Sequence, residues 1–366
     1  MKIAMVNEFF YPFLGGVEIH ILNLSLELME KGHSICVICK NHKGQIARDT
    51  YKGIQIIRVN SYVKLYETLK SIKFDIVHAH MSRKIYSSLG ILFAKLLGYK
   101  VVFTPHCFYP SKSLVARCKK ALFDFSLGRI SFACIDRMIN LTENDRKDAV
   151  RLGLLLKKSV IIPNSIIVDK FVNYVSKTNV KEKYNLSKYL LYVGRIDWVK
   201  KIDFVIKSLP SIDQKIKFVV LGQDTGYKKR LVELANKLNV QNRVVWVGDV
   251  VFDELIAAYK NCLALVLPSL YEGLPTVVLE AMSIGKCVIC AKTGGTQYLI
   301  SDKIDGFLYE FGNQKDFIQA VNIVNNLDTE KYSQMRKKMI EKVNSQYRWE
   351  VNSKKILNLY KQLVVI

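Results

Sequence analysis

The chain has few residues that interrupt regular structure: 7 prolines and 19 glycines among 366 residues. That content excludes a collagen-like repeat or a low-complexity segment, and a half-hydrophobic composition excludes a disordered chain. Acidic residues are also scarce, 32 against 55 Lys and Arg, for a net charge of +23. An anionic partner is expected, whether phosphate, nucleic acid or membrane surface. No apolar stretch approaches the ~20 residues of a spanning helix, and the longest, such as 262–270, stop well short. The opening Met-Lys-Ile-Ala-Met-Val-Asn has too short an apolar body for a secretory signal and reads as a first strand, so a cytoplasmic location is expected. Missing too are a Gly-x-Gly-x-x-Gly after a first strand, a Walker phosphate loop and any Asp-x-Asp pair. These absences argue against dinucleotide redox chemistry, P-loop hydrolysis and the commonest metal-chelating device for a nucleotide diphosphate.

Eight cysteines are present, four of them as Cys36-x-x-Cys39 and Cys287-x-x-Cys290. Both pairs lie in β-patterned runs, where residues three apart point to opposite faces and cannot converge on one metal. They are expected to be free thiols packed as small hydrophobes.

Apolar β-type runs alternate with helical stretches from end to end. Strands are expected at 3–6, 34–40, 54–59, 75–79 and 101–104, with helices at 17–31 and 85–97. After the polar stretch 176–187 the rhythm restarts, with strands at 189–193, 217–221, 244–247, 264–268 and 288–291. That is the βαβ pattern of two Rossmann-like, doubly wound parallel sheets. The expected domains are 1–170 and 171–347, with an amphipathic tail helix from 348 to 366 joining the first.

Four groups of residues fall at strand-to-helix corners, where doubly wound folds place ligands. The first is Tyr11-Pro-Phe-Leu-Gly-Gly-Val-Glu18, in which Gly15 and Gly16 leave room for a phosphate against a helix start, or simply make a tight turn. The second is Gly194-Arg195-Ile-Asp-Trp-Val-Lys200, whose guanidinium and ammonium suit a diphosphate. The third, Pro268 to Gly285, holds Glu272 and Glu280 for hydroxyls, with the N–H groups of Gly273, Leu274 and Thr276 around Pro275 facing any phosphate. The fourth is Phe103-Thr-Pro-His106, a strand-end histidine suited either to a reacting centre or to a satisfied core site. His78 and His80 alternate on one face of a neighbouring strand.

Gly-Gly-Val-Glu, Gly-Arg-x4-Lys and Glu-x7-Glu in a Pro-Ser-x-x-Glu-Gly context resemble the retaining glycosyltransferases of family 4 over essentially the whole chain. Ile162-Pro-Asn164, Leu221 to Tyr227 and Thr293-Gly-Gly295 fit in order. Segment 9–20 is similar to enzymes that add N-acetylglucosamine to phosphatidylinositol and to many bacterial and archaeal hexosyltransferases. The resemblance implies a GT-B fold, two Rossmann-like domains facing across a cleft. It also implies a nucleotide diphosphate sugar as donor, a UDP-sugar favoured and GDP-mannose the alternative, and as hydroxyl acceptor a lipid-linked or cell-surface glycan precursor. Arg195 and Lys200 would hold the diphosphate with Gly16 and the 273–276 backbone, Glu280 the ribose, Glu272 the sugar or phosphate, and His106 a sugar hydroxyl. No metal or other cofactor is implied. Departures are Lys201 where the family usually has Gly, Ser165 after Pro163-Asn164, and Gln297-Tyr298 for Pro-Glu. A nucleotide-sugar epimerase of the same architecture is the nearest rival; a nucleic-acid-binding protein rests on charge alone, with no recognisable module.

Residues 113–130 place Leu114, Cys118, Leu122 and Phe125 on one stripe flanked by Arg117, Lys119 and Lys120. The helix suits either an anionic membrane surface or a core with a solvated basic face. Charge does not choose: residues 1–170 carry 26 Lys and Arg against 13 Asp and Glu, the remainder 29 against 19.

Overall fold

Strands β1 (Lys2–Val6), β2 (Ser34–Lys40) and β5 (Ile76–His80) bury nearly every side chain, as strands of a sheet covered on both faces do. With β3 (Arg48–Tyr51), β4 (Ile54–Val59), β6 (Lys100–Thr104), β7 (Arg137–Asn140) and β8 (Ser159–Ile161) they form an eight-stranded sheet ordered β3-β4-β2-β1-β5-β6-β7-β8. All pairings are parallel except the edge hairpin of β3 with β4. The computed structural model describes residues 1–13, 15–108 and 113–364.

A second, six-stranded parallel sheet contains β9 (Lys188–Val193), β10 (Ile216–Leu221), β11 (Val244–Gly248), β12 (Ala264–Leu267), β13 (Val288–Ala291) and β14 (Phe307–Tyr309), ordered β11-β10-β9-β12-β13-β14. The expected pair of doubly wound sheets is therefore found. Strands β3, β7, β8 and β14 are additions, each three or four residues long and all but β7 at a sheet edge.

Two compact units result, Met1–Ser165 with Trp349–Ile366 and Ile166–Arg348. The sequence expectation put 166–170 in the first domain. Here Ile166 bridges Arg348 and its N–H donates to the Tyr347 carbonyl at 2.9 Å, which draws this segment into the second unit. Helix Trp349–Val364 packs on helix Gly16–Glu30, where Ser353 Oγ donates to Glu27 at 2.9 Å and accepts from Lys31 at 3.1 Å.

The cysteines are all free. Cys36 sits in the core with Val6 and Val59, and burial pushes its thiol up to about 11 and those of Cys39 and Cys287 up to about 12. Residues 113–130 correct the core-helix alternative. Helix Leu114–Phe123 buries none of its side chains, and Leu114, Leu122 and Phe125 are 74%, 73% and 70% exposed. A π-helical turn, Asp124–Gly128, follows, held by Arg83, whose Nη2 lies 2.7 Å from Asp124 Oδ2. No helix among the described residues is long and apolar enough to cross a membrane.

Candidate active site

In the second sheet the strand order reverses between neighbours β9 and β12. Such a switch point opens a crevice at the carboxyl ends of the strands. Beyond β9, a Cβ on Gly222 would lie 2.2 Å from the Gly194 carbonyl oxygen, so the ends of β9 and β10 approach too closely for a side chain. The Arg195 carbonyl accepts from the Tyr192 hydroxyl at 2.8 Å, which fixes the loop, while the Arg195 residue itself is exposed. Among the described residues no ion pair engages its guanidinium, which leaves five donors for an anion.

Asp197 then accepts from the Val199 N–H at 3.1 Å and caps the turn Trp198–Lys200. The Leu270 N–H donates to the Val199 carbonyl at 2.8 Å and ties this turn to the loop after β12. Across that tie Lys200 Nζ meets Glu272 Oε1 at 2.7 Å, with side-chain exposures of only 15% and 7%. Lys200 is thus half of an ion pair rather than a lone cation.

Glu272 is held by the loop after β13. The Gly295 N–H donates to the Glu272 carbonyl at 2.8 Å, and Thr293 Oγ1 donates to the Ser269 carbonyl at 2.9 Å. A Cβ on Gly294 would sit 2.1 Å from the Glu272 oxygen, and one on Gly295 1.6 Å from that of Gly273. Backbone packs on backbone, and only glycine fits. Sequence reasoning gave Gly294 and Gly295 no site role; their adjacency was the available signal. Gly273, Leu274 and Pro275 are buried, and helix Thr276–Ser283 starts at Pro275 without a side-chain cap for its first N–H groups. One turn on, Glu280 Oε2 accepts from the Tyr259 hydroxyl at 2.8 Å. Burial pushes the Glu280 carboxyl up, against the lowering by Tyr259, Lys170 and Thr276.

The first sheet reverses its order between β1 and β5. Gly15 and Gly16 follow β1, both exposed and neither at positive φ. The Gly15 N–H donates to Glu18 Oε2 at 3.0 Å, while Glu18 Oε1 accepts from Asn7 at 3.0 Å. Gly15 is therefore spoken for, and its Cβ would press on that carboxylate at 2.8 Å. A Cβ on Gly16 would meet nothing within 4 Å. Packing gives no reason for glycine at 16, and the space is open to a ligand. Leu14 of this motif lies outside the described residues.

Residues 14–170 match the family described as Glycosyltransferase Family 4, and residues 176–345 the one described as Glycosyl transferases group 1. The chain belongs to the family 4 glycosyltransferases. A phosphatidylinositol N-acetylglucosaminyltransferase GPI3 subunit of Saccharomyces cerevisiae is 26% identical over 98% of this chain and 82% of its own. An Escherichia coli UDP-Gal:alpha-D-GlcNAc-diphosphoundecaprenol alpha-1,3-galactosyltransferase is 27% identical over 100% of this chain and 98% of its own. Among solved structures, sucrose-phosphate synthase of Thermosynechococcus elongatus superposes with a TM-score of 0.82 at 21% identity, covering 100% and 99% of the two chains. The glycosyltransferase thus has the GT-B fold.

Its fourth sequence-predicted position, His106, takes a left-handed φ of +63 just after β6 and is buried. His106 Nε2 lies 3.1 Å from His80 Nδ1. His78, on the same face of β5, spends both nitrogens internally, on the Tyr360 hydroxyl at 2.6 Å and Thr104 Oγ1 at 2.8 Å. His20, which sequence reasoning did not single out, stands edge-on to His106 with ring centroids 4.8 Å apart. Burial first, then the neighbouring imidazoles, hold His78, His80 and His106 well below the usual histidine range. A neutral His106 is a hydrogen-bonding group for a hydroxyl, not a cation.

Proposed function

We propose that this glycosyltransferase moves a hexose or N-acetylhexosamine from a UDP-sugar to a hydroxyl of a lipid-linked acceptor, with retention at the anomeric carbon. The observation that carries the reading is the exposed Arg195 guanidinium in the loop that also brings Lys200 to Glu272, at the β9/β12 switch point. As the glycosidic bond breaks, negative charge grows on the departing diphosphate. A fixed guanidinium and the N–H groups at the start of helix Thr276–Ser283 stabilise that charge more than the ground state. Anion binding near Lys200 loosens its hold on Glu272, which frees the carboxylate for a sugar hydroxyl. Glu280 takes the ribose hydroxyls, and Gly16 and His106 are assigned to the phosphate and to a sugar hydroxyl. The departing phosphate oxygen accepts the proton of the acceptor hydroxyl on the face it leaves, which gives retention without a metal.

The names of the relatives supply the rest of the reading. One names phosphatidylinositol, and the other a UDP-sugar donor and a diphosphoundecaprenol acceptor. An enzyme acting on such lipids works at a membrane surface. Leu114, Leu122 and Phe125 are exposed on a helix that also carries Arg117, Lys119 and Lys120, which suits the interface of an anionic bilayer.

Thermal stabilisation by a panel of UDP-, GDP- and ADP-sugars tests the donor, since a ligand bound only by the folded state raises the midpoint. UDP-sugars should stabilise most, and a larger shift with GDP-mannose would replace them. An inverted product linkage would sink the retaining mechanism, and a rearranged donor released without acceptor would indicate an epimerase. Anionic vesicles should bind the enzyme, and Leu122→Glu with Phe125→Glu should release it; equal binding by both removes this helix from the interface.

A further inference from the structure

Three buried imidazoles of the first unit, His20, His80 and His106, each offer one ring nitrogen, and these atoms lie within 4.8 Å of one another. His20 Nδ1 is 2.7 Å from Asn164 Oδ1. An amide oxygen only accepts, so Nδ1 carries the proton and Nε2 keeps the lone pair. Nε2 is buried and has no hydrogen-bond partner among the described residues, and the same is true of His80 Nε2. A buried lone pair that nothing satisfies costs its desolvation in full. If His80 Nδ1 donates to His106 Nε2, the free Nε2 atoms of His20 and His80 are both lone pairs, a set that calls for a cation or a doubly donating water. Neighbouring His78 cannot serve, because both its nitrogens are engaged.

We propose that His20, His80 and His106 form a tri-imidazole site for a divalent first-row transition ion, Zn2+ by ligand type, and that loading it withdraws His106 from the sugar. The second half rests on the functional reading above; the site itself does not. Three histidines with an open fourth position are an established zinc donor set, and the Asn164 amide behind His20 is the kind of outer partner that orients a ligating ring. Burial keeps these imidazoles unprotonated at neutral pH, the form that binds metal, with His20 lowered to about 4. Zn–N bonds of about 2.0–2.1 Å put tetrahedral nitrogens roughly 3.4 Å apart, so from a separation of 4.8 Å the rings must close by up to about 1.4 Å, within reach of side-chain rotation.

The test uses the full-length enzyme after chelation, titrated by calorimetry with Zn2+ and by visible absorption with Co2+. One equivalent should bind, with the intense bands of four-coordinate cobalt. His80→Asn should abolish this, and Asn164→Ala, which leaves every ligand in place, should weaken it about tenfold. A His33→Gln/His42→Gln double variant, altering two of the three histidines outside the cluster, should bind as wild type. No stoichiometric binding, a six-coordinate cobalt spectrum, or equal affinity in wild type and Asn164→Ala overturns the site and leaves a bridging water. Zn2+ should also inhibit transfer, reversed by chelator; full turnover in the loaded enzyme overturns the withdrawal of His106 while leaving the metal site standing.

Discussion

Lys200 Nζ lies 2.7 Å from Glu272 Oε1, and the two come from loops leaving adjacent strands of the second sheet. Neither side chain is more than 15% exposed, so little water screens the pair. Removing one partner strands the other charge in a partly buried site, whereas a diphosphate can take over the ammonium. Lys200→Ala should lower turnover at saturating donor about 10²–10³-fold, the usual effect of losing one transition-state donor. It should also lower the thermal midpoint of the free enzyme. An unchanged turnover number removes Lys200 from stabilising the departing diphosphate.

Gly16 separates a ligand requirement from a structural one. It opens helix Gly16–Glu30, has no positive φ, and a Cβ there would meet nothing within 4 Å. Gly16→Ala should leave the midpoint unchanged or slightly raised, alanine being the better helix former by up to about 1 kcal/mol. If a phosphate approaches this backbone, the donor KM or turnover number suffers at the same time. Wild-type kinetics in the variant would mean that the glycine serves neither fold nor ligand.

The sheets were legible because β2, β9 and β10 are continuous apolar runs, which burial on both faces demands. Strands β3, Arg-Asp-Thr-Tyr, and β7, Arg-Met-Ile-Asn, were not, since short strands carry too few residues for a period to emerge. Arg195, Glu272 and His106 could be singled out because each follows a recognisable strand end. Which residues they pair with could not. Glu272 finds Lys200 across 72 residues and His20 finds Asn164 across 144, through contacts that only the fold creates. For the exposed face of 114–123, periodicity fixed which residues share a stripe but not whether the stripe faces a core, because both cases have the same pattern.

Lys201 stands at φ +51 and ψ 38, the left-handed conformation that glycine adopts freely. Other L-residues pay about 1–2 kcal/mol there, and the lysine's compensation is a cation–π contact of 5.8 Å to Trp198. Lys201→Gly should therefore stabilise the enzyme by about 1 kcal/mol in urea unfolding. A loss of stability would show that the Trp198 contact outweighs the backbone strain. Lys201 ends the turn Trp198–Lys200 and starts helix Ile202–Ser208 through its backbone, with no side-chain cap bond, so the turn holding the Lys200–Glu272 pair should survive the change, with donor affinity near wild type.

The buried histidines set how stability depends on pH. Burial lowers His20 to about 4, and holds His78, His80 and His106 well below the usual range of about 6.5 that applies to the unfolded chain. Below pH 6.5 the unfolded chain therefore binds protons that the folded one refuses. Their contribution to stability is complete above pH 6.5 and is lost as pH falls toward 4, by up to about 1.4 kcal/mol per pH unit for each histidine. Glu280 works in the opposite sense, because its carboxyl is raised: between its unfolded and folded values the native state binds the extra proton, and falling pH stabilises it there. Urea unfolding at pH 7.5, 6 and 5 should give a stability that drops steeply with acid in wild type. His20→Gln should drop less, by one histidine's share, whatever its absolute stability. The Glu280 term is common to both proteins and cancels in the comparison. Parallel pH profiles for the two would mean that His20 accepts its proton in the folded enzyme, and so does not sit as a neutral ring against Asn164.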